Sequence, residues 1–382
     1  MREVYVLGVG QTSFGKTPHL TAIELGAQAA KAAIKDAGID PRMLQVCYGS
    51  RVYDATQTIE DIMLRLGVAD REMHNCENAC ASGGTAFNLL WKDVATGMYD
   101  IGIVVGTDSM TTCSKAGKLV AAAPGDLNGT MGVTMPANHG LTAHRMMSDR
   151  GYTIEDIAYA SEKNHRNAMF NPYAQHRKQL TIAEIVNARM ISSPITTLMC
   201  CPVSDGSAAA ILCTKEIAQR YTTKLVRVAA SKVLTADYLR WDQDIIARPA
   251  LTKLAYSAYD AAGIGPEDLD LIEIHDAFSP EELFTYEAIG LCGIGEAKKF
   301  IADGTPELSG RHPVNPSGGL LSLGHPLGAS GVRVVSEITW HLRNEAGERQ
   351  IPNAKVGMAE MVGGYLTNMG MPAVGSINIL TI

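Results

Sequence analysis

The chain has 382 residues, 46 % of them apolar and 19 % charged, with a formal net charge of −7. That composition excludes intrinsic disorder, and a chain this long buries a sizeable core without disulfides or metals. No basic tract accompanies the net negative charge, so a nucleic-acid footprint is excluded.

In chain order, Val4 to Gly8 reads as a short buried strand. Its apolar run is far too short for a signal sequence or a membrane span, so the expectation is a cytoplasmic protein with no membrane partner. Thr21 to Ala37 is Ala-rich and reads as a helix that stops at Gly38. Ile101 to Gly106 reads as a second buried strand. Residues 113 to 195 show no obvious strands and read as a lobe inserted into the first half. Ala208 to Leu212 reads as a strand returning to that half. Alternation of this kind predicts an α/β fold.

An internal repeat organises the chain. Ala37-Gly38-Ile39-Asp40-Pro41 through Leu44 recurs as Ala262-Gly263-Ile264-Gly265-Pro266 through Leu269, with five identities in eight positions. Helix–Gly–Ile–x–Pro–strand is also a common connection, but register over that length favours a duplicated half. The halves are placed at 1–225 and 226–382.

The eight cysteines are scattered, with no pair of CxxC units, so neither a zinc ribbon nor any other metal site is expected. Cys80 lies among small residues in Asn78-Ala79-Cys80-Ala81-Ser82-Gly83-Gly84, just before a helix-like run. A thiol at a helix N-terminus is disposed to ionise and attack; the alternative is a buried capping cysteine. His275-Asp276-Ala277-Phe278 follows the apolar run Leu271–Ile274, at the strand end where α/β sheets place their sites, although a satisfied strand-end histidine has the same local sequence. His325 stands between Gly324 and Pro326 in a Gly-rich loop of the kind that lets backbone approach a ligand. Gly363-Gly364 offers backbone amides for an anion.

Together with Cys201-Pro202-Val203-Ser204-Asp205-Gly206-Ser207, these segments resemble the thiolase family in order and spacing over nearly the whole chain. Within it, His-Asp-x-Phe resembles the sterol-carrier-protein-X type and its bacterial and archaeal relatives. The resemblance implies two five-stranded α/β halves in a layered αβαβα arrangement, with a loop domain inserted in the first. It implies that Cys80 attacks the keto carbon of a 3-oxoacyl-CoA, that His325 and His275 act on the alkoxide, that the amides of Cys80 and Gly363 hold the thioester oxyanion, and that CoA removes the acyl group. No bound cofactor is implied; coenzyme A is a substrate. The most specific substrate implied is 2-benzoylsuccinyl-CoA, giving benzoyl-CoA and succinyl-CoA. A biosynthetic acetoacetyl-CoA thiolase, a thiolase-like retro-aldolase and a non-catalytic scaffold are the alternatives; the last two do not account for Cys80.

The chain departs from the family at its second cysteine. Met361 stands at one of its usual positions and Ala277 at the other. His275 is the first choice for the missing acid/base, with His325, Tyr365 and His139 as further candidates. The resemblance also implies a homodimer, formed along the first half's sheet and covering the strand Ile101–Val105, and a small zinc-ribbon/OB-fold partner protein.

Overall fold

Val4–Gln11 forms β1, buried along its whole length. In the computed structural model, residues 1–53, 56–113, 130–236, 244, 246–366 and 371–382 are described; residues 365, 366, 371 and 372 are described in backbone only. The remaining strands are β2 (Val46–Ser50), β3 (Glu72–Cys76), β4 (Ile101–Ser109), β5 (Met190–Ser192), β6 (Ile195–Thr196), β7 (Asp205–Thr214), β8 (Val226–Thr235), β9 (Leu271–Glu273), β10 (Val356–Leu366) and β11 (Met371–Thr381). Nine of them make one sheet in the order β3-β2-β4-β7-β1-β8-β11-β10-β9.

That order repeats itself about the β1–β8 junction, where Tyr5 faces Arg227 and Val6 faces Val226. On one side β3, β2 and β4 run parallel, and β7 and β1 follow antiparallel. On the other, β9 and β10 are parallel, and β11 and β8 follow antiparallel. A parallel bridge from Ile272 to Val314 stands in the place that β3 takes in the first half. The sequence repeat recurs in three dimensions. Gly38 and Gly263 both close a helix, with φ of 67° and 72°. Each is followed by a 3-10 turn opened by a proline, and then by a fully buried Leu44 or Leu269 leading into β2 or β9.

The strands read as unbroken apolar runs because both faces of the sheet are covered. In β7, Ala208, Ala210 and Leu212 face a central core, while Ala209, Ile211 and Cys213 face an outer one shared with the helix Ala22–Ala37. In β10, Ala359 and Met361 face the centre; Met358 and Val362 face the outer core shared with the helix Pro249–Ala262. The central layer is the helix pair Ser82–Thr96 and Leu327–Leu342. The αβαβα layering follows. The expected edge at Ile101–Val105 is corrected: β4 lies inside the sheet between β2 and β7, and β3 is the outer strand. Fully buried apolar residues mark a central strand as readily as an edge, so the run alone could not separate the two.

The inserted lobe carries the helices Met135–Arg150, Ile154–Ala168 and Ile182–Val186 and the small β5–β6 ribbon. A buried network fastens it to the second half. Lys163 Nζ lies 2.9 Å from Glu282 Oε1 and donates to the Val314 carbonyl, and Asn164 Nδ2 donates to both Glu282 and Asp276.

The central helices touch through glycine. A Cβ on Gly83 would sit 2.8 Å from Val332 N and 2.9 Å from Gly328 O, and one on Gly331 would sit 2.4 Å from Gly84 N. These are backbone atoms that no rotamer change can move aside. We expect Gly331→Ala to destabilise the protein by about 1–3 kcal/mol, the range for overpacking a tight core, and to lower turnover by spreading the two helices. Unchanged denaturant midpoint and turnover would show that the contact tolerates a methyl group.

Candidate active site

Cys80 sits in a tight turn before its helix. Ala79 takes φ 48°, an uncommon value for a residue with a side chain, and Ala81 N donates to Asn78 O at 3.1 Å. Ser82 Oγ locks the turn by accepting from Asn78 N at 2.8 Å and donating to Ala79 O. The backbone of β10 presses against it: a Cβ on Gly363 would lie 2.4 Å from Asn78 O and 2.9 Å from Cys80 N. Gly364 follows with φ 65°. Cys80 is half-buried.

His275 follows β9, and its backbone N–H donates to Glu360 Oε2 at 2.9 Å. Its Nε2 lies 3.3 Å from Nε2 of His325, ring edge to ring face. Its Nδ1 lies 3.2 Å from Glu281 Oε1. The sulfur of Cys80 and a ring nitrogen of each histidine all fall within 4.8 Å of one another.

Hydrogen bonds assign the protons. Ser330 Oγ donates to the Pro326 carbonyl at 3.0 Å and lies 2.8 Å from His325 Nδ1, so it accepts from that nitrogen. His325 therefore carries its proton on Nδ1 and turns the lone pair of Nε2 toward His275. His275 must then donate from Nε2, while its Nδ1 faces a carboxylate: the arrangement of an imidazolium. The electrostatics agree. Burial opposes charge on His275, yet the Glu281 carboxylate and the Cys80 sulfur hold it well above the usual histidine range. Burial, reinforced by the charge on His275, pushes His325 well below that range. Burial would raise the Glu281 carboxyl, but His275 and His139 hold it well below its usual value.

The other sequence candidates fall at graded distances. His139, on the helix Met135–Arg150, stacks on Phe278 and reaches Glu281 Oε2 at 3.5 Å, so it touches the centre through that carboxylate. The side chain of Tyr365 lies outside the described residues. Met361 and Ala277 are buried, and neither offers an acid or a base. Asp276, for all its place beside His275, points elsewhere. It caps the segment Gly319–Leu323 by accepting from the N–H groups of Leu320 and Leu321. Asp205 likewise ties the N–H groups of Thr17 and Thr111 together.

Sequence reasoning missed Glu281, Ser330 and Glu360. Glu281 reads as an ordinary first-turn acid, and Ser330 as one small residue in a Gly-Ala-Ser-Gly run. Glu360 did carry a signal, since a lone carboxylate in the apolar run Val356–Val362 must be held by something. Burial pushes it up to about 7, and the His275 N–H it accepts pulls the other way.

Among the described residues no helix is long and apolar enough to cross a membrane. The thiolase N-terminal domain family matches residues 4–216, and the thiolase C-terminal domain-like family matches residues 233–373. The benzoylsuccinyl-CoA thiolase subunit BbsB of Thauera aromatica is 37 % identical over 368 residues, 95 % of either chain. An acetyl-CoA acetyltransferase of Methanothermobacter thermautotrophicus is 36 % identical over 371 residues, covering 95 % of this chain and 97 % of its own. Among solved structures, an Ltp2-ChsH2(DUF35) aldolase superposes with a TM-score of 0.84 at 23 % identity, over 98 % of this chain and 97 % of its own, a likeness of fold. With both family domains in sequence order and relatives matched from end to end, this chain belongs to the thiolase family and is an acyltransferase.

Proposed function

We propose that the protein is a thiolase that cleaves a 3-oxoacyl-CoA with CoA through an acyl-Cys80 intermediate. The observation that carries this reading is a sulfur and two imidazoles within 4.8 Å, with surroundings that raise one histidine and lower the other. Environments that split the pKa values of neighbouring groups assign an acid and a base. Neutral His325 takes the thiol proton on Nε2, and Cys80 Sγ bonds to the keto carbon. The alkoxide so formed accepts from Nε2–H of cationic His275. Collapse breaks the carbon–carbon bond, and the departing enolate of the shorter acyl-CoA takes the proton from His325. In the second half, His325 removes the proton from the CoA thiol. CoA sulfur attacks the thioester, and the oxyanion lies toward the amides of Cys80 and Gly363, with Gly364 shaping that turn. Cys80 leaves and regains a proton. One neutral histidine thus does what a second cysteine does elsewhere in the family. This exchanges the roles that the sequence suggested for His275 and His325.

For the acyl group we favour 2-benzoylsuccinyl-CoA, on the 37 % identity to BbsB over 95 % of the chain. Benzoyl would then rest on Cys80 and succinyl-CoA would leave. We further place the boundary between the halves at 225/226, where β8 begins, and the cytoplasm as the site of action. A homodimer would cover the outer edge of β3, which otherwise presents unpaired backbone. A small zinc-ribbon/OB-fold partner is favoured by the fold likeness to the Ltp2-ChsH2(DUF35) aldolase. An aldol cleavage needs no acyl-enzyme, and the cluster around Cys80 favours acyl transfer.

Brief incubation with 2-benzoylsuccinyl-CoA or acetoacetyl-CoA, without acceptor CoA, should acylate Cys80, and the mass added to its peptide names the acyl group. No adduct, or near-normal turnover in Cys80→Ser, would remove the covalent step. Light scattering should give the mass of two chains, and activity should rise when a zinc-ribbon/OB-fold protein is added; a monomer, or full activity alone, would refute the respective claim.

The charge split predicts the pH profile. His325, held below the usual histidine range, stays a base well into acid; His275, held above it, stays charged into alkali. The activity plateau should therefore span neutrality. Glu281→Gln removes the charge that supports His275. The alkaline limb of kcat/KM should then move down by about one pH unit or more, and His275→Ala should cost about 10²–10³ in turnover. An unmoved limb would show that Glu281 does not set the charge of His275.

A further inference from the structure

We propose that Cys80, His275 and His325 also form a binding site for a thiophilic divalent cation such as Zn²⁺, whose occupancy shuts the enzyme down. The donor set is one sulfur and two imidazole nitrogens, the ligands that zinc takes with three protein groups and one open position. All three ligand atoms lie within 4.8 Å of one another. Two nitrogens each about 2.0–2.1 Å from a tetrahedral zinc are separated by roughly 3.3 Å, and the two Nε2 atoms here are 3.3 Å apart.

The outer partners agree. A histidine that binds zinc usually engages its other nitrogen with a carboxylate or another polar group, which aims the ring. Here the other nitrogen of His275 faces Glu281 Oε1 at 3.2 Å, and that of His325 lies 2.8 Å from Ser330 Oγ. Both outer partners are themselves buried, and each holds its ring in place. The cation forms bonds to Sγ and to both Nε2 atoms. The protons held on His275 Nε2 and on the thiol leave to solvent, and no group changes oxidation state. The fourth position would take water.

The site rests on this geometry alone; only the inhibition rests on the acyl-Cys80 reading. Cobalt(II) is the probe, added to the full-length protein after reduction and removal of bound metal. Stoichiometric binding should give a thiolate-to-cobalt charge-transfer band and the intense visible bands of tetrahedral cobalt. The charge-transfer band should vanish in Cys80→Ser and persist in Cys76→Ala. Ser330→Ala should weaken binding by about 10–100-fold, the usual cost of losing an outer partner. Because Cys80→Ser could unfold, the unmodified protein gives a second measurement: Zn²⁺ should slow alkylation of Cys80 by iodoacetamide, and chelator should restore it. Octahedral cobalt spectra, a charge-transfer band surviving in Cys80→Ser, or alkylation indifferent to Zn²⁺ would each overturn the proposal. A band without Cys80 acylation by substrate would leave the metal site standing and sink the thiolase reading. Acylation without a band would do the reverse.

Discussion

Everything at the centre of this molecule depends on two helices meeting backbone to backbone. Gly83 on one faces Gly328 and Gly331 on the other, and a Cβ on either Gly83 or Gly331 would run into the facing helix's backbone. Cys80 precedes the first helix and His325 precedes the second. Bringing the helices together at their first turns therefore brings a thiol and an imidazole together, each at the positive end of a helix dipole. The duplication makes this possible. Each half supplies the same helix in the same place, and the sheet order repeats about β1 and β8, so the two N-termini converge on one point.

The second half then surrounds that point with buried charge. Desolvating ions is expensive, and a buried pair is retained only when its geometry satisfies nearly all of its hydrogen bonds. Glu273 meets Arg333 and Ser317; Glu282 meets Lys163, Asn164 and Asn315. These pairs fix the backbone on either side of His275 and His325, and they tie the inserted lobe to it. Glu281 differs from its neighbour in what it faces. It holds two histidines, of which one reaches the sulfur. The burial that penalises its charge is also what makes its effect on His275 large.

The sequence made the duplication legible because the features that end a helix are local. A left-handed glycine, a proline one turn on and a buried leucine are needed wherever a helix turns back into this sheet, so Gly38 and Gly263 disclose one another. Cys80 and His325 were legible for a related reason: each stands in a run of small residues that a closely approached backbone requires, whereas His275 was legible from its place at the end of an apolar run. What the sequence withheld depends on long-range packing. Nothing near Glu281 distinguishes it from Glu282, and the lobe residues they meet, His139 and Lys163, lie on helices more than a hundred residues away. Asp276 looked like half of a catalytic pair, yet its oxygens cap a segment 44 residues on. The interior place of β4 was hidden as well, because a strand covered on both faces looks the same wherever it stands in the sheet.

The missing second cysteine becomes intelligible in these terms. A second thiol serves as acid and base only if something else holds the first oxyanion and keeps the nucleophile reactive. Here the two imidazoles are already differentiated: Glu281 and the Cys80 sulfur hold one above the usual histidine range, and burial with its neighbour's charge pushes the other below it. With that division of labour, Met361 can be an apolar wall of the central core at no loss of proton traffic. The same division has a chemical consequence. A basic imidazole nitrogen and a sulfur aimed at one point, with a second imidazole beside them, make a good acyl-transfer site and a good ligand set for a soft cation. What separates the two proposed uses is the proton on His275, which would serve the alkoxide and would have to leave before a metal could enter.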